Sequence, residues 1–192
     1  MRKKVSFIFL LIVTVVSINA YSSDLGSKFD LNLYYHPSIT LDDSSDLPIY
    51  SSLSSTYDFT PLYVKFNNHQ IGAFFSIFQV SDSLIYQNEY LRDFSAVGMG
   101  IDYGYYFSTN FFLNTKLSMG VGKLGQSQNK ELYTAVSIIP SFIINKGDGY
   151  SISLTTGVNV IYRKYLLAPS VGIGVSTSFD WLTNYIRKVS SK

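Results

Sequence analysis

The chain contains no cysteine, carries few charges and has no apolar run long enough for a membrane-spanning helix. Without cysteine there are no disulfides, thiolate metal ligands or cysteine nucleophiles, and no lipidated cysteine behind a leader. Charged residues are 15% of the 192 residues, against about 25% in a typical soluble protein. Hydrophobic residues reach 46% and aromatic residues 16%, which excludes a disordered chain.

The net charge of +2 depends on three basic residues near the amino terminus, Arg2, Lys3 and Lys4. Without them, 12 basic residues stand against 13 acidic ones, so the rest of the chain is close to neutral. Proteins that bind nucleic acid need a basic surface. The sequence therefore predicts no nucleic-acid partner.

The first twenty residues have the three parts of a secretory signal peptide. The three basic residues are followed by a mainly apolar segment over residues 5–18, and small residues then offer cleavage after Ala20 or Ser22. An uncleaved anchor is the alternative, but the apolar segment is shorter than the roughly 18 residues that a spanning helix needs. We therefore expect residues 1–20 to be a signal peptide and the protein to be exported.

The remaining sequence alternates with period 2, which is typical of β-strands. Between Ala96 and Phe107, for example, the odd positions are Val, Met, Ile, Tyr, Tyr and Phe. Eight strands are predicted, at residues 28–36, 57–66, 70–80, 96–107, 111–122, 131–145, 150–163 and 167–180. In the second strand the alternation loses phase near Pro61, which predicts a bulge or an edge kink.

The connections mostly alternate in length. The segments Pro37–Thr56 and Ser81–Asp93 are long, whereas 67–69, 108–110 and 145–149 are short. Such alternation is typical of an up-and-down barrel with its long loops at one end. The predicted fold is an all-β, eight-stranded antiparallel transmembrane barrel over residues 27–181.

The two faces of the last five predicted strands differ in composition. One face is apolar and has no charged residue, whereas Gly, Ala, Ser and Thr dominate the other. A soluble lipocalin-like barrel would carry many charges on its outer face. The uncharged face suits lipid, and small residues suit the crowded interior of an eight-stranded barrel.

Charged residues on the small-residue face are therefore predicted to lie in the lumen. They include Lys28, Asp30 and Arg163. If Phe107 and Phe111 flank a three-residue hairpin loop, Asp102 lies directly across from Lys116. Opposite residues on one face are within reach of each other, so the sequence predicts an Asp102–Lys116 ion pair inside the barrel.

Aromatic residues near the strand ends fit the girdles of a membrane barrel. At the short-turn end they are Phe107, Phe111, Tyr150, Phe179 and Trp181, and at the long-loop end they are Tyr35, Tyr57, Tyr162 and Tyr165. The alternative is that Tyr and Phe simply favour strands.

With its leader, its eight alternating strands and its asymmetric loops, the chain resembles the small outer-membrane barrels of the OmpA transmembrane-domain and OmpW type. The resemblance implies location in a bacterial outer membrane and contact with its lipid and the barrel-assembly machinery. One departure is that such barrels usually end in an aromatic residue. Here residues 182–192 follow, as a short interfacial helix or a disordered tail.

Chemistry-bearing residues are sparse. His36, Ser38, Asp42, Asp43 and Asp46 lie near the outer rim of the predicted barrel, where a hydrolase could be built. The spacing of the three aspartates lacks the Gly and closing Glu of an EF-hand loop. We expect no enzymatic activity, cofactor or bound metal.

Two functions remain open from the sequence. The first is a surface protein whose loops at 37–56 and 81–93 bind an extracellular ligand, as an adhesin does. The alternative is a narrow pore for small or hydrophobic solutes, although eight strands leave little room inside.

Overall fold

Residues 24–37, 52–81, 94–124, 130–163 and 166–180 are described by a computed structural model. They form one closed barrel of eight strands in chain order. The strands are β1 (Asp24–His36), β2 (Ser52–Phe66), β3 (His69–Ser81), β4 (Phe94–Tyr106), β5 (Phe111–Leu124), β6 (Lys130–Gly147), β7 (Tyr150–Arg163) and β8 (Leu166–Phe179). All neighbouring strands are antiparallel, and β8 pairs with β1 to close the barrel. The predicted eight-stranded up-and-down barrel is confirmed.

Several predicted features lie outside the described residues. They are the signal peptide, most of both long loops, Tyr165, Trp181, the segment 182–192 and the side chain of Arg163. Within the described ranges, no helix has the length and apolar character needed to cross a membrane.

The second strand is longer than its sequence pattern indicated. It begins at Ser52 rather than Tyr57, so the first long loop covers residues 37–51. The run Ser52–Thr56 is polar and shows little alternation. It is nevertheless paired on both sides, with Ser52 opposite His36 of β1 and Leu53 opposite Ser81 of β3. Hydrogen bonding to two neighbours therefore extends the strand where side-chain pattern gave no signal.

The bulge predicted near Pro61 is confirmed. The register of β2 shifts between Thr60 and Tyr63 against β1, and between Phe59 and Leu62 against β3. Proline has no N–H to donate to a ladder, so a bulge accommodates it. Asp58 and Thr60 are buried before the shift, and Tyr63 is buried after it. The bulge thus changes which positions face inward, from even to odd.

Tight turns join the strands at one end of the barrel. Asn67 and Asn68 connect β2 to β3, with Asn67 at a φ of 52°. Asp148 and Gly149 connect β6 to β7, with Gly149 at a φ of 81°. Two-residue hairpins need positive φ, which Asn and Gly adopt most easily.

The β4–β5 hairpin keeps the predicted register. The N–H of Phe107 donates to the carbonyl oxygen of Phe111 over 3.0 Å. Asp102 lies opposite Lys116 as a result.

The outer surface of the barrel is apolar between its two rims. Large apolar side chains from all eight strands are exposed there, including Met99, Ile173 and Leu132, at 60%, 68% and 77%. Among the described side chains, the exposed charged ones lie only at the strand ends or in a turn, and they are Lys123, Lys130, Lys146 and Asp148. We call this charge-free region the outer belt.

Candidate functional site in the barrel lumen

Five ionic side chains meet in the middle of the lumen, and we call them the charge network. They are Lys28, Asp30, Asp58, Asp102 and Lys116, and each is at most 4% exposed. They come from four strands, because the inward positions of β1, β2, β4 and β5 converge on the barrel axis. Such a cluster is stable only if its charges are paired, since each ion has lost its hydration.

Lys116 is the centre of this network. Its Nζ donates to Asp30 Oδ2 over 2.6 Å and to Asp58 Oδ2 over 2.5 Å. The same ammonium lies 5.1 Å from the centroid of the Phe74 ring. On the other side of Asp58, the hydroxyl of Ser76 donates to Oδ1 over 2.6 Å.

Lys28 provides the second cation. Its ammonium donates to Asp102 and lies 3.6 Å from Asp30 Oδ2. Asp30 therefore bridges the two lysines. With all five groups ionised, three carboxylates face two ammonium groups, so the charges are nearly balanced.

The structure changes the predicted partners of Asp102 and Lys116. The two residues lie opposite each other on the inner face, but the Asp102 carboxylate contacts Lys28, while Lys116 contacts Asp30 and Asp58. A prediction from strand register considers only residues on neighbouring strands. In a closed barrel, long side chains cross the lumen and reach strands that are distant in the sheet.

The other predicted lumen charges lie as follows. Lys28 and Asp30 are both inside. Asp58 was missed, because the phase loss at Pro61 left the inward positions of β2 undetermined. Asp58 alternates with Thr56 and Thr60, which are also buried. This alternation could have placed Asp58 inside if residues 56–60 had been considered separately from the residues after Pro61.

An apolar layer fills the lumen between the charge network and the long-loop end. Its buried members are Phe78, Val80, Phe94, Ala96, Tyr133, Ala135, Ile161 and Ala168. The Phe94 ring packs against Phe78 and Tyr133, with centroid separations of 5.9 and 6.2 Å. The Phe94–Tyr133 pair is edge-to-face and the Phe94–Phe78 pair is tilted, and aromatic pairs favour such non-parallel arrangements.

Glycine makes room for these rings. A methyl group at Gly120 would lie 2.6 Å from the Cα of Gly98 and 2.7 Å from Cε1 of Tyr133. A small cavity of about 20 Å³ remains between Lys116 and the apolar layer, which is room for about one water molecule. The described lumen is therefore filled at this level.

The turn end of the lumen is open by comparison. A cavity of about 390 Å³ lies there, among residues of the β2–β3 and β4–β5 turns and the strand ends beside them and beside the β6–β7 turn. Tyr63 and Tyr106 form part of its wall, and the Tyr63 hydroxyl donates to Asp180. We call it the turn-end cavity.

At the opposite rim, His36 has a serine partner. His36 Nε2 lies 2.7 Å from Ser54 Oγ, and both side chains are buried. His36 Nδ1 is buried without a hydrogen-bond partner among the described residues. Ser54 escaped the sequence analysis because it fell within a predicted loop. Ser38, Asp42, Asp43 and Asp46, the other residues of the predicted rim site, lie outside the described residues.

No group of three or more His, Cys, Asp or Glu side chains in the described ranges could hold a metal ion.

Most predicted girdle residues lie near the strand ends. The exposed ones are Phe107, Tyr150 and Phe179 at the turn end and Tyr35 and Tyr162 at the loop end. Tyr57 is exposed too, but it lies five residues inside β2, because that strand begins at Ser52. Phe111 is half-buried and packs on Phe107 and Phe142, with ring centroids 5.5 and 4.8 Å apart.

No family model matches the sequence, and no curated protein matches it. Among solved structures, the chain is similar to Neisserial surface protein A (NspA), with 12% identity, a TM-score of 0.48 and coverage of 80% of this chain and 96% of that one. It is also similar to Ail, the attachment invasion locus protein of Yersinia pestis, in complex with the heparin analogue sucrose octasulfate. That similarity has 16% identity, a TM-score of 0.49 and coverage of 80% and 99%. Ail in a phospholipid bilayer nanodisc is 14% identical, with a TM-score of 0.37. At these identities no function follows for this chain.

Proposed function

We propose that the protein is a non-enzymatic, integral β-barrel of a bacterial outer membrane that presents its long loops at the cell surface. The observation that carries this proposal is the outer belt. Exposed apolar side chains cover it on all eight strands, and exposed charges are confined to its edges. In water such a surface would aggregate, whereas in lipid it is the favourable one.

The height of the barrel supports the same proposal. Its shortest strands have 13 residues. At a rise of about 3.3 Å per residue and the tilt of about 40° usual for such barrels, they extend roughly 30 Å along the axis. That matches the apolar band of about 25 Å with a margin for the interfaces. Closure also leaves no strand edge for lipid to meet.

The filled lumen favours a surface role over a pore. Ions would have to pass the charge network and the apolar layer, and the cavity between them has a volume of only about 20 Å³. The pore remains the second candidate, because the turn-end cavity extends into the lumen from one side. We propose that residues 38–51 and 82–93, which connect strands at the long-loop end, make the contact with other cells or matrix.

Membrane fractionation together with conductance measurements tests the proposal. The protein should be recovered in outer membranes that resist carbonate and urea washing. In planar lipid bilayers the purified barrel should show no steady conductance above the background of an empty bilayer. Recovery in the soluble periplasm would reject the membrane location. Stable conductance steps would instead support the alternative function, a narrow pore.

The surface role has its own test. Removing residues 40–48 should leave the amount of barrel in the outer membrane unchanged and reduce adhesion of whole cells to host matrix. A variant with the same number of Gly and Ser residues in place of that segment serves as the control for loop length. Unchanged adhesion in both variants, and in the corresponding 84–91 variants, contradicts the surface role.

A further inference from the structure

A row of polar side chains crosses the outer surface of the barrel at its long-loop end. Gln79 of β3 lies opposite Ser95 of β4, which in turn lies opposite Lys123 of β5. Lys123 lies opposite Lys130 of β6. All four side chains are exposed, and each follows or precedes a buried or half-buried residue of its own strand, so the row faces away from the lumen. We call it the donor row, because it offers an amide, a hydroxyl and two ammonium groups.

The two lysines of the donor row are a like-charge pair that the strand register enforces. Directly opposite residues have Cβ atoms about 4.5–5.5 Å apart, and like charges at such positions are destabilising. Within the described ranges, neither ammonium has an ion-pair partner. Glu131 follows Lys130 in the chain, but it lies on the other face of β6 and is half-buried. An anion bound between the two ammonium groups would relieve their repulsion.

Towards the turn end, the next outward positions of the same four strands are all apolar. They are Ile77, Val97, Val121 and Leu132, which are paired with one another in the same order and are all exposed. We call them the apolar row. Leu132 has the largest exposed fraction of any large apolar side chain in the described ranges. Two residues along a strand advance by about 6.6 Å, so one amphiphilic molecule can contact both rows.

The donor row is confined to one side of the barrel. On the other four strands, the exposed side chains nearest the long-loop end are aromatic or apolar, and they are Tyr35 of β1, Leu53 of β2, Tyr162 of β7 and Leu167 of β8. Lysines that served only to mark the membrane interface would have no reason to lie opposite each other on two adjacent strands. The placement therefore favours a localised site.

The chemistry of the donor row fits a phosphate group. A phosphomonoester carries about −1.5 to −2 charges near pH 7 and has three strong acceptor oxygens. It can therefore balance both lysines and still accept a hydrogen bond from Ser95. A carboxylate would balance only one of the lysines. An acidic segment of a soluble protein would leave the apolar row uncovered, whereas the acyl chains of a lipid cover it.

We propose that the donor row and the apolar row form a binding site for a lipid whose headgroup carries a phosphomonoester. The phosphate lies between Lys123 and Lys130, and an acyl chain lies on Val121 and Leu132. This inference rests on the proposed function, because a lipid meets the outer belt only when the barrel is in a membrane. It adds the headgroup chemistry, the side of the barrel and the leaflet, which is the one from which the long loops emerge.

The experiment compares lipids that have identical acyl chains and different headgroups. Dioleoyl phosphatidic acid carries a phosphomonoester, dioleoyl phosphatidylglycerol carries a phosphodiester with one charge, and dioleoyl phosphatidylcholine has no net charge. Each is added to the purified barrel in micelles of a neutral detergent, and the bound lipids are counted by native mass spectrometry. We expect saturable binding of one phosphatidic acid, at least about fivefold tighter than phosphatidylglycerol, since one lysine near an anionic lipid surface contributes about that factor.

Matched variants locate the site. Lys130→Gln and Lys146→Gln remove the same charge at opposite ends of the barrel, and both side chains are exposed, so both variants should fold like the parent. Lys130→Gln should weaken binding of phosphatidic acid about fivefold, whereas Lys146→Gln should leave it unchanged. The double variant Lys123→Gln with Lys130→Gln should bind phosphatidic acid no better than phosphatidylcholine. The double variant Lys123→Arg with Lys130→Arg keeps both charges and should retain the binding.

Several results overturn the site. They are equal binding of phosphatidic acid and phosphatidylcholine, and equal effects of Lys130→Gln and Lys146→Gln. Glycerol 3-phosphate has the same phosphate group and no acyl chains, so an affinity equal to that of phosphatidic acid would reject a lipid as the ligand. A barrel that resists carbonate and urea washing but shows no preference for phosphatidic acid rejects this inference alone. Recovery of the barrel in the soluble periplasm rejects the proposed function, independently of the binding measured in micelles.

Discussion

At the scale of single residues, Lys116 is the cation that holds two carboxylates of the charge network together. Its ammonium joins the carboxylates of Asp30 and Asp58, which belong to different strands. Breaking a buried ion pair by removing one partner typically costs about 3–5 kcal/mol, because the other charge stays buried without compensation. Removing both partners costs less than the two single changes together. The contribution of Lys116 is therefore measured as a coupling.

The first prediction is a comparison of two double-mutant cycles. In the cycle of Lys116→Met with Asp58→Asn, we expect a coupling free energy above about 1 kcal/mol, because the two side chains are in direct contact. In the cycle of Lys116→Met with Asp102→Asn, the coupling should be smaller, since Asp102 contacts Lys28 instead. Urea unfolding of the barrel in lipid measures both. The reverse order of the two couplings would support the pairing expected from strand register alone.

At the scale of strands and hairpins, the barrel has two unlike ends. Two-residue turns follow β2 and β6, and four residues connect β4 to β5. The connections at the other end include the segments 38–51 and 82–93. In outer-membrane barrels short turns are typical of the periplasmic side, and long loops are typical of the extracellular side.

The second prediction is the orientation of these two ends. The chain has no native cysteine, so single cysteines introduced by Ser51→Cys and Thr109→Cys report on one site each. An impermeant thiol reagent should label whole cells at position 51 and not at position 109. Cells with a permeabilised outer membrane provide the control, since both positions should then react. Labelling of intact cells at position 109 alone would mean the opposite orientation.

At the scale of the whole molecule, the barrel reverses the usual arrangement of a soluble protein. Its interior contains five ionic groups, serines, threonines and asparagines, and its exterior is apolar. Along the axis, the lumen changes from an apolar layer at the loop end, through the charge network, to the polar turn-end cavity. Of these three levels, the turn-end cavity, with a volume of about 390 Å³, is much roomier than the cavity of about 20 Å³ beside Lys116.

The third prediction tests the outer belt. Met99 lies in the middle of β4 and is 60% exposed, so Met99→Lys places an ammonium in the hydrocarbon core. We expect the free energy of unfolding in bilayers to fall by about 2–4 kcal/mol. Thr109→Lys, in an exposed turn, should change it by less than about 0.5 kcal/mol. Equal effects of the two changes would show that the belt faces water.

The period-2 pattern predicted the fold because most of the strands have one uniform apolar face. That pattern gave the strand number, and the alternating connection lengths gave the up-and-down order. A three-residue loop between Phe107 and Phe111 gave the register that places Asp102 opposite Lys116. The loss of phase near Pro61 predicted a bulge or an edge kink. The period-2 pattern underestimated the length of β2. Ser54 and Thr56 both face inward there, and the polar run that contains them gives no alternating pattern. Pairing with β1 and β3, and not side-chain polarity, decides where such a strand begins.

The sequence by itself determined which faces of most strands point inward, and it placed Lys28, Asp30, Asp102 and Lys116 in the lumen. It did not place Asp58 there. Only the tertiary structure decided which charges meet. Lys116 reaches Asp30 and Asp58, and Lys28 reaches Asp102, because closure of the barrel brings together strands that are far apart in the chain. The same closure gathers two separate turns and the strand ends beside a third around the turn-end cavity. Neither arrangement leaves a trace in local sequence, since each depends on the radius and the stagger of the closed sheet.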